Sequence, residues 1–238
     1  MKIEVLDNSD LVARRAATVI AGEARKAVAL RGRFIFAISG GKTPWKMLHE
    51  LTNEDVPWKN MHIFQVDERF APEGHSDRNM TYIQKSLLGH APTLPVWIHG
   101  MQMEEKEPEE AVAGYSRTIR AIAGSKSIID LIHLGLGPDG HTASLIPGDP
   151  VLNITDKDVA LTGIYQGRHR MTLTFPIINR ARKLLWLITG TEKSEMLQRL
   201  LEKDLSIPAS HIQQEHALVL TDKDAAGFLD ERAINESQ

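Results

Sequence analysis

Three glycines, an aspartate and a histidine are packed into Gly135-Leu136-Gly137-Pro138-Asp139-Gly140-His141-Thr142-Ala143-Ser144, directly after the most apolar run of the chain, Ile128 to Leu134. A rigid turn that exposes His141, with Asp139 near enough to fix its tautomer and raise its basicity, makes a general base. An ordinary histidine, with a pKa of about 6.5, is mostly neutral at pH 7 and can take a proton from water. The competing reading is a histidine that caps local backbone, but three glycines and an aspartate around one histidine weigh against it. The run also matches G-x-G-x-x-G in form. A dinucleotide site is rejected, because Pro138 and Asp139 stand where a pyrophosphate needs bare backbone and Pro147-Gly148 stops the helix that the fingerprint should open.

Three other segments carry polar chemistry at the end of a strand-like run. Ser39-Gly40-Gly41-Lys42-Thr43-Pro44 reads as an anion cradle: exposed backbone N–H groups, a helix start that Thr43 can cap and Pro44 can open, and the Lys42 ammonium. It is not a Walker loop, and a plain glycine turn with a capping threonine is as good a reading of these residues alone. Asp67-Glu68-Arg69-Phe70 puts three charges at the tip of a buried strand, which is costly unless they are paired or face a wet cleft. By itself it reads as an Asp–Arg structural pair; opposite the glycine loop it turns toward a site, with the polar stretch from Pro72 to Asn79 as a loop over a small ligand. Arg170 and Lys193 are each ordinary surface cations taken singly, and a phosphate clamp if they share the rim of the glycine loop.

These residues need a scaffold, and the periodicities supply one. Strands are predicted at Lys2–Leu6, Arg33–Ile38, Met61–Val66, Pro95–Ile98, Ile128–Leu134, Lys183–Thr189 and Ala217–Leu220, with β-like segments at Val159–Ile164 and Met171–Phe175. Helices are predicted from a Ser9 cap through Leu30, and over Pro44–Leu51, Asn79–Leu88, Glu104–Ala123 and Thr191–Glu202, with a short one near Ala225. Alternation of this kind specifies an α/β fold: one domain over residues 1–238, with a mainly parallel, Rossmann-like sheet and helices on both faces. Ligands then bind beyond the carboxyl ends of the strands, where all four polar segments fall.

Composition narrows the function classes. With no cysteine among 238 residues, thiolate catalysis, disulfides and cysteine-based metal sites are out. A net charge of −3 with mixed signs gives no basic field for a nucleic acid. No stretch approaches the ~20 apolar residues of a membrane helix, so the expectation is a soluble cytoplasmic protein with no nucleic-acid or membrane partner. His211 and His216 miss the spacing of helical zinc motifs; with His49, His62 and His133 they read as structural or surface residues, and no metal is expected. Trp45, Trp58, Trp97 and Trp186 are too scattered for a stacking platform and are assigned to packing.

Taken in order, the four blocks, with His75 and Asn79 behind the second and Arg170-Met171-Thr172-Leu173-Thr174 with Lys193 as the last, resemble the 6-phosphogluconolactonase family, within the superfamily that also holds glucosamine-6-phosphate deaminase and ribose-5-phosphate isomerase. The resemblance covers most of the chain. It implies cofactor-free hydrolysis of 6-phospho-D-glucono-1,5-lactone, the second step of the oxidative pentose phosphate pathway. It also implies His141 as the base, with Asp139 beside it, and Arg69, Arg170 and Lys193 as cations for the phosphate and polar end of the substrate. Ser39, Gly40, Gly41, Lys42, Thr43 and Asp67 complete the expected binding set. Lys42, where the family commonly has serine or arginine, and Arg78, where it often has a small residue, are departures. An amino-sugar phosphate deaminase is the rival enzyme; the resemblance implies a carboxylate a few residues past its histidine, where this chain has Leu145-Ile146-Pro147. A non-catalytic sugar-phosphate sensor is the rival of another class. A monomer is expected, because no conspicuous apolar stripe is left over.

Overall fold

A computed structural model describes residues 1–89, 95–104 and 108–229. Seven parallel strands form the central sheet: β1 (Lys2–Leu6), β2 (Phe34–Ile38), β3 (Met61–Gln65), β5 (Trp97–His99), β6 (Leu131–Leu134), β9 (Leu184–Ile188) and β10 (Ala217–Asp222). Their spatial order is β1-β10-β9-β6-β2-β3-β5. The chain therefore builds outward from β2 through β3 to β5, then returns to lay β6 on the other side of β2. That reversal creates a crevice between the carboxyl ends of β2 and β6.

Alternate residues of each strand serve opposite layers. Phe34, Phe36, Ile38, Met61, Ile63, Leu185 and Leu187 pack with α1 (Ser9–Arg31) and α2 (Lys42–Leu51). Ile35, Ala37, Phe64, Ile132, Leu134, Leu184 and Trp186 face the other layer, with Tyr115 and Ile119 of α4 (Pro108–Ala123) and Leu197 and Leu200 of α6 (Ser194–Leu201). Both faces are thus covered, as a parallel sheet requires. The buried stripe of α1 is mostly alanine, which brings the helix close to the sheet; Ile20, fully buried in that stripe, contributes about 1.5–3 kcal/mol. No helix among the described residues is long and apolar enough to cross a membrane.

The structure corrects several expectations. Asn8, not Ser9, caps α1, its side chain accepting from the amides of Asp10 and Leu11 at 3.1 and 3.0 Å. Helix α2 starts at Lys42 after Gly41, so Thr43 lies inside the first turn; its hydroxyl meets that of Thr189 at 2.8 Å instead of capping. Glu104 precedes α4, and residues 105–107 of the predicted helix lie outside the described residues.

A larger correction concerns the second sheet. Asp67–Arg69 is a strand of its own (β4), not the tip of β3, and it pairs antiparallel with β8 (Arg170–Leu173), which pairs antiparallel with β7 (Val159–Leu161). This three-stranded sheet caps the carboxyl end of β3 and carries Arg170 to the cleft from outside the central sheet. Helix α3 (Asn79–Leu87) is anchored to it by Glu68. That fully buried carboxylate accepts from the Asn79 and Met80 amides at 2.8 and 2.9 Å, so an acid stabilises the helix N-terminus.

Candidate active site

The crevice at the β2–β6 reversal opens into a cleft of about 680 Å³, lined by residues from all four segments: Ser39 to Lys42, Asp67 and Arg69, Gly135 to Pro138 with His141, and Arg170 with Lys193. Adjacency explains the convergence. Strands β9, β6, β2 and β3 are consecutive in the sheet, so the loops that follow them share one rim. Of the residues selected from the sequence, Thr43 is drawn away to Thr189 and does not line the cleft. Asp139 stands behind the wall, bonded to His141.

The His141 turn is built around that bond. His141 Nδ1 lies 2.5 Å from Asp139 Oδ1, and the His141 amide donates to the same oxygen at 3.2 Å. The turn is closed by the Gly137 amide, which donates to the His141 carbonyl at 2.8 Å. A Cβ on Gly137 would lie 2.1 Å from His141 Nδ1 and 2.7 Å from Asp139 Oδ1, so glycine is what admits the pair. Burial raises the Asp139 carboxyl, but hydrogen bonds from His141 and Tyr165 outweigh it and leave the carboxyl below its usual range. An ionised carboxylate on Nδ1 places the imidazole's proton there, leaving Nε2 as the acceptor. Among the described residues Nε2 has no hydrogen-bond partner.

Cations face this imidazole. Lys42, Arg69, Arg170 and Lys193 line the cleft, and none of them forms an ion pair with a carboxylate among the described residues, whereas Arg168 is paired with Asp77 at 2.6 Å. Arg69 donates to Asn79 Oδ1 at 3.0 Å, not to Asp67 as the simple pair would have it. Asp67 instead accepts from the Ser144 hydroxyl at 2.6 Å. Arg170 donates to Gln166 Oε1 at 3.0 Å. Burial, then the nearby Arg69, pulls Arg170 below its ordinary pKa; burial also lowers Lys193, against the opposing pull of Glu192 and Asp139. Half-buried cations without counterions gain from an anion, so the cleft is suited to a phosphorylated or carboxylated ligand.

Other parts of the site escape sequence reading. Tyr165, Gln166 and Arg168, on the loop between β7 and β8, reach the cleft or its base, and only the turn glycine Gly167 hints at their presentation. Trp45 and Tyr82 stack at 5.5 Å and wall the opposite side, in keeping with a groove-wall tryptophan. Trp97 departs from the packing assignment: it is 58% exposed, stacked against His62 at the sheet edge. Arg78 is structural, its buried guanidinium 3.3 Å from Glu68 and donating to the Ala71 carbonyl at 3.0 Å. His133 is internal too, its Nδ1 accepting the Ser39 amide at 3.3 Å. No group of three or more metal-ligating side chains occurs among the described residues.

Comparison with known proteins places this architecture. The family model described as glucosamine-6-phosphate isomerases/6-phosphogluconolactonase matches residues 7–221. A 6-phosphogluconolactonase from Synechocystis sp. is 33% identical over 225 residues, covering 92% of this chain and 93% of its own. The crystal structure of 6-phosphogluconolactonase from Thermotoga maritima superposes with a TM-score of 0.80 at 27% identity, covering 93% of this chain and 98% of its own. A monomeric glucosamine-6-phosphate deaminase gives the same TM-score, 0.80, at 18% identity, covering 95% of this chain and 99% of its own, so the fold does not separate the two activities. The chain belongs to the glucosamine-6-phosphate isomerase/6-phosphogluconolactonase family.

Proposed function

We propose that the chain is a cytoplasmic 6-phosphogluconolactonase that hydrolyses 6-phospho-D-glucono-1,5-lactone to 6-phospho-D-gluconate without a cofactor, as a monomer. The observation that carries the reading is the His141–Asp139 pair at 2.5 Å, set across one cleft from unpaired Arg69, Arg170 and Lys193. The relatives that cover nearly the whole chain carry the same activity in their names, which supports it.

In this reading the chain's own side chains and backbone amides carry the reaction. His141 Nε2 takes a proton from water as the water oxygen attacks the lactone carbonyl, and Asp139 stabilises the imidazolium that forms. The oxyanion of the tetrahedral intermediate is stabilised by Arg69 or by backbone N–H groups of the glycine loop. When the intermediate collapses, His141 returns its proton to the ring oxygen, the C1–O5 bond breaks, and the acid is released as its carboxylate. Arg170 and Lys193 hold the phosphate, with Ser39 to Lys42 and Asp67 lining the sugar. Binding energy from that end is available to orient the carbonyl against the base. Against the deaminase, the stretch past His141 that would supply a ring-opening carboxylate reads Leu145-Ile146-Pro147, with Leu145 and Ile146 buried.

The test is a lactone assay on freshly generated substrate, since the lactone also opens spontaneously. Acid release above the uncatalysed rate is expected; ammonia release from glucosamine 6-phosphate instead would replace this reading with the deaminase. Arg170→Ala is expected to raise KM for the phosphorylated lactone about 10-fold or more, with little effect on an unphosphorylated one. Equal losses on both substrates would remove Arg170 from the phosphate site.

A further inference from the structure

One side chain touches the carboxylate, the imidazole and a cation of the cleft at once, and the mechanism above does not use it. The Tyr165 hydroxyl donates to Asp139 Oδ2 at 3.1 Å. Its ring meets His141 edge-on, with centroids 5.6 Å apart and planes at 68°. On the ring's face sits the Arg170 guanidinium, its carbon 4.9 Å from the centroid.

The two Asp139 oxygens thus have separate donors. Oδ1 takes the His141 ring nitrogen and amide, and Oδ2 takes the Tyr165 hydroxyl. A carboxylate held at one oxygen can rotate about its last bond; a second donor on the other oxygen fixes its plane. Since the imidazole is aimed by that carboxylate, the phenol controls the aim from one bond further out. We infer that Tyr165 is a positioning residue for the Asp139–His141 pair, and that its ring ties the pair to the neighbouring Arg170 cation. The inference rests on the lactonase reading for its kinetic consequences, not for the hydrogen bond itself.

The surrounding loop is built to hold the phenol in place. Tyr165 and Arg168 exchange backbone hydrogen bonds at 2.9 and 3.3 Å, Gln166 accepts from Arg170, and Arg168 pairs with Asp77 at 2.6 Å. Two of these contacts, Gln166 to Arg170 and Arg168 to Asp77, lead to the cleft. The charged and titratable groups that face the pair are Tyr165 and Arg170 from this side and Lys193 from the turn after β9. Burial and Asp139 raise the Tyr165 phenol, so it stays protonated and remains a donor across the working pH range.

Tyr165→Phe isolates the proposal, because it keeps the ring against His141 and Arg170 and removes only the donor. The expected result is a fall in kcat of about 3–10-fold with KM for the phosphorylated lactone within about twofold of wild type. The acidic limb of the kcat/KM profile moves to higher pH by roughly a few tenths of a unit, because Asp139, relieved of one donor, gives more of its charge to the imidazolium. The low-field proton resonance of the Asp139–His141 hydrogen bond shifts as well, and this is read without substrate. Tyr165→Leu, which also strips the ring from Arg170, is expected to add a rise in KM. A Tyr165→Phe enzyme with wild-type kcat, pH limb and proton resonance would show the ring to be mere filling and overturn the proposal. If wild type fails to accelerate lactone opening, the lactonase reading falls before any variant is made, and the proton resonance alone then decides whether Tyr165 positions the pair.

Discussion

His133 and His141 belong to the same short stretch of chain, one inside strand β6 and the other on the turn that follows it. Strand β6 seals His133 between β2 and β9, where it meets no carboxylate among the described residues: burial pushes its pKa down to about 3, and its Nδ1 is spent on the Ser39 amide. The turn lifts His141 out of the sheet, gives it Asp139 at 2.5 Å and leaves its other nitrogen toward a cleft with unpaired cations. Identical side chains thus receive opposite assignments. A buried imidazole is a fixed neutral acceptor; a strand-end imidazole with a carboxylate behind it is suited to act as a base.

The contrast is broken most directly by removing the exposed member. His141→Ala is expected to lower kcat for lactone hydrolysis by roughly 10²–10⁴ while circular dichroism and thermal midpoint stay close to wild type. Near-wild-type turnover would mean that the turn histidine is not the base. Next in size, Asp139→Asn keeps the shape of the turn but not the charge. A loss in kcat of roughly 10–10³ is expected, read by steady-state kinetics, because the amide neither stabilises the imidazolium nor enforces the tautomer. A loss confined to KM would assign Asp139 to binding instead.

The smallest effect on turnover belongs to the buried member, and it separates stability from chemistry. His133→Gln is expected to destabilise the fold by about 1–3 kcal/mol through lost packing and an altered hydrogen bond to Ser39, with kcat of the folded enzyme within a few-fold of wild type. The pH dependence has a definite sign. The folded pKa of about 3 lies below the ordinary 6.5, so between these values the unfolded chain binds more protons. The contribution is fully present above pH 6.5 and is lost as pH falls toward 3. Denaturant midpoints measured over that window should fall less steeply in His133→Gln than in wild type. His99, lowered to about 4 by burial and by His62, adds a slope of the same sign that persists in the variant.

The glycine turn shows how far local reading reaches. Its glycines, Asp139 and His141 sit within a few residues of one another, and their chemistry follows from spacing. The structure adds why Gly137 is required: a side chain there would overlap the pair it presents. Arg69 shows where local reading fails. Asp67, two residues back and on the same face of β4, is the obvious partner, but other segments claim both side chains: Asp67 accepts from Ser144, and Arg69 donates to Asn79 at the start of α3. Thr43 is likewise claimed by a distant segment, its hydroxyl taken by Thr189, the residue that follows β9.

By itself the sequence determined the α/β alternation, the absence of thiol chemistry, and the turn that presents His141 beside Asp139, because each depends on residues close in the chain. Tertiary structure alone decided that β6 returns beside β2 to open the crevice, and that β4, β7 and β8 form a second sheet. It also decided that Tyr165, on the loop between β7 and β8, bonds Asp139 of the glycine turn and stacks on Arg170 of β8. Strand order and sheet membership are set by hydrogen-bond pairing between distant segments, and hydrophobic periodicity, which reports only that a segment is a buried strand, is the same for every such pairing.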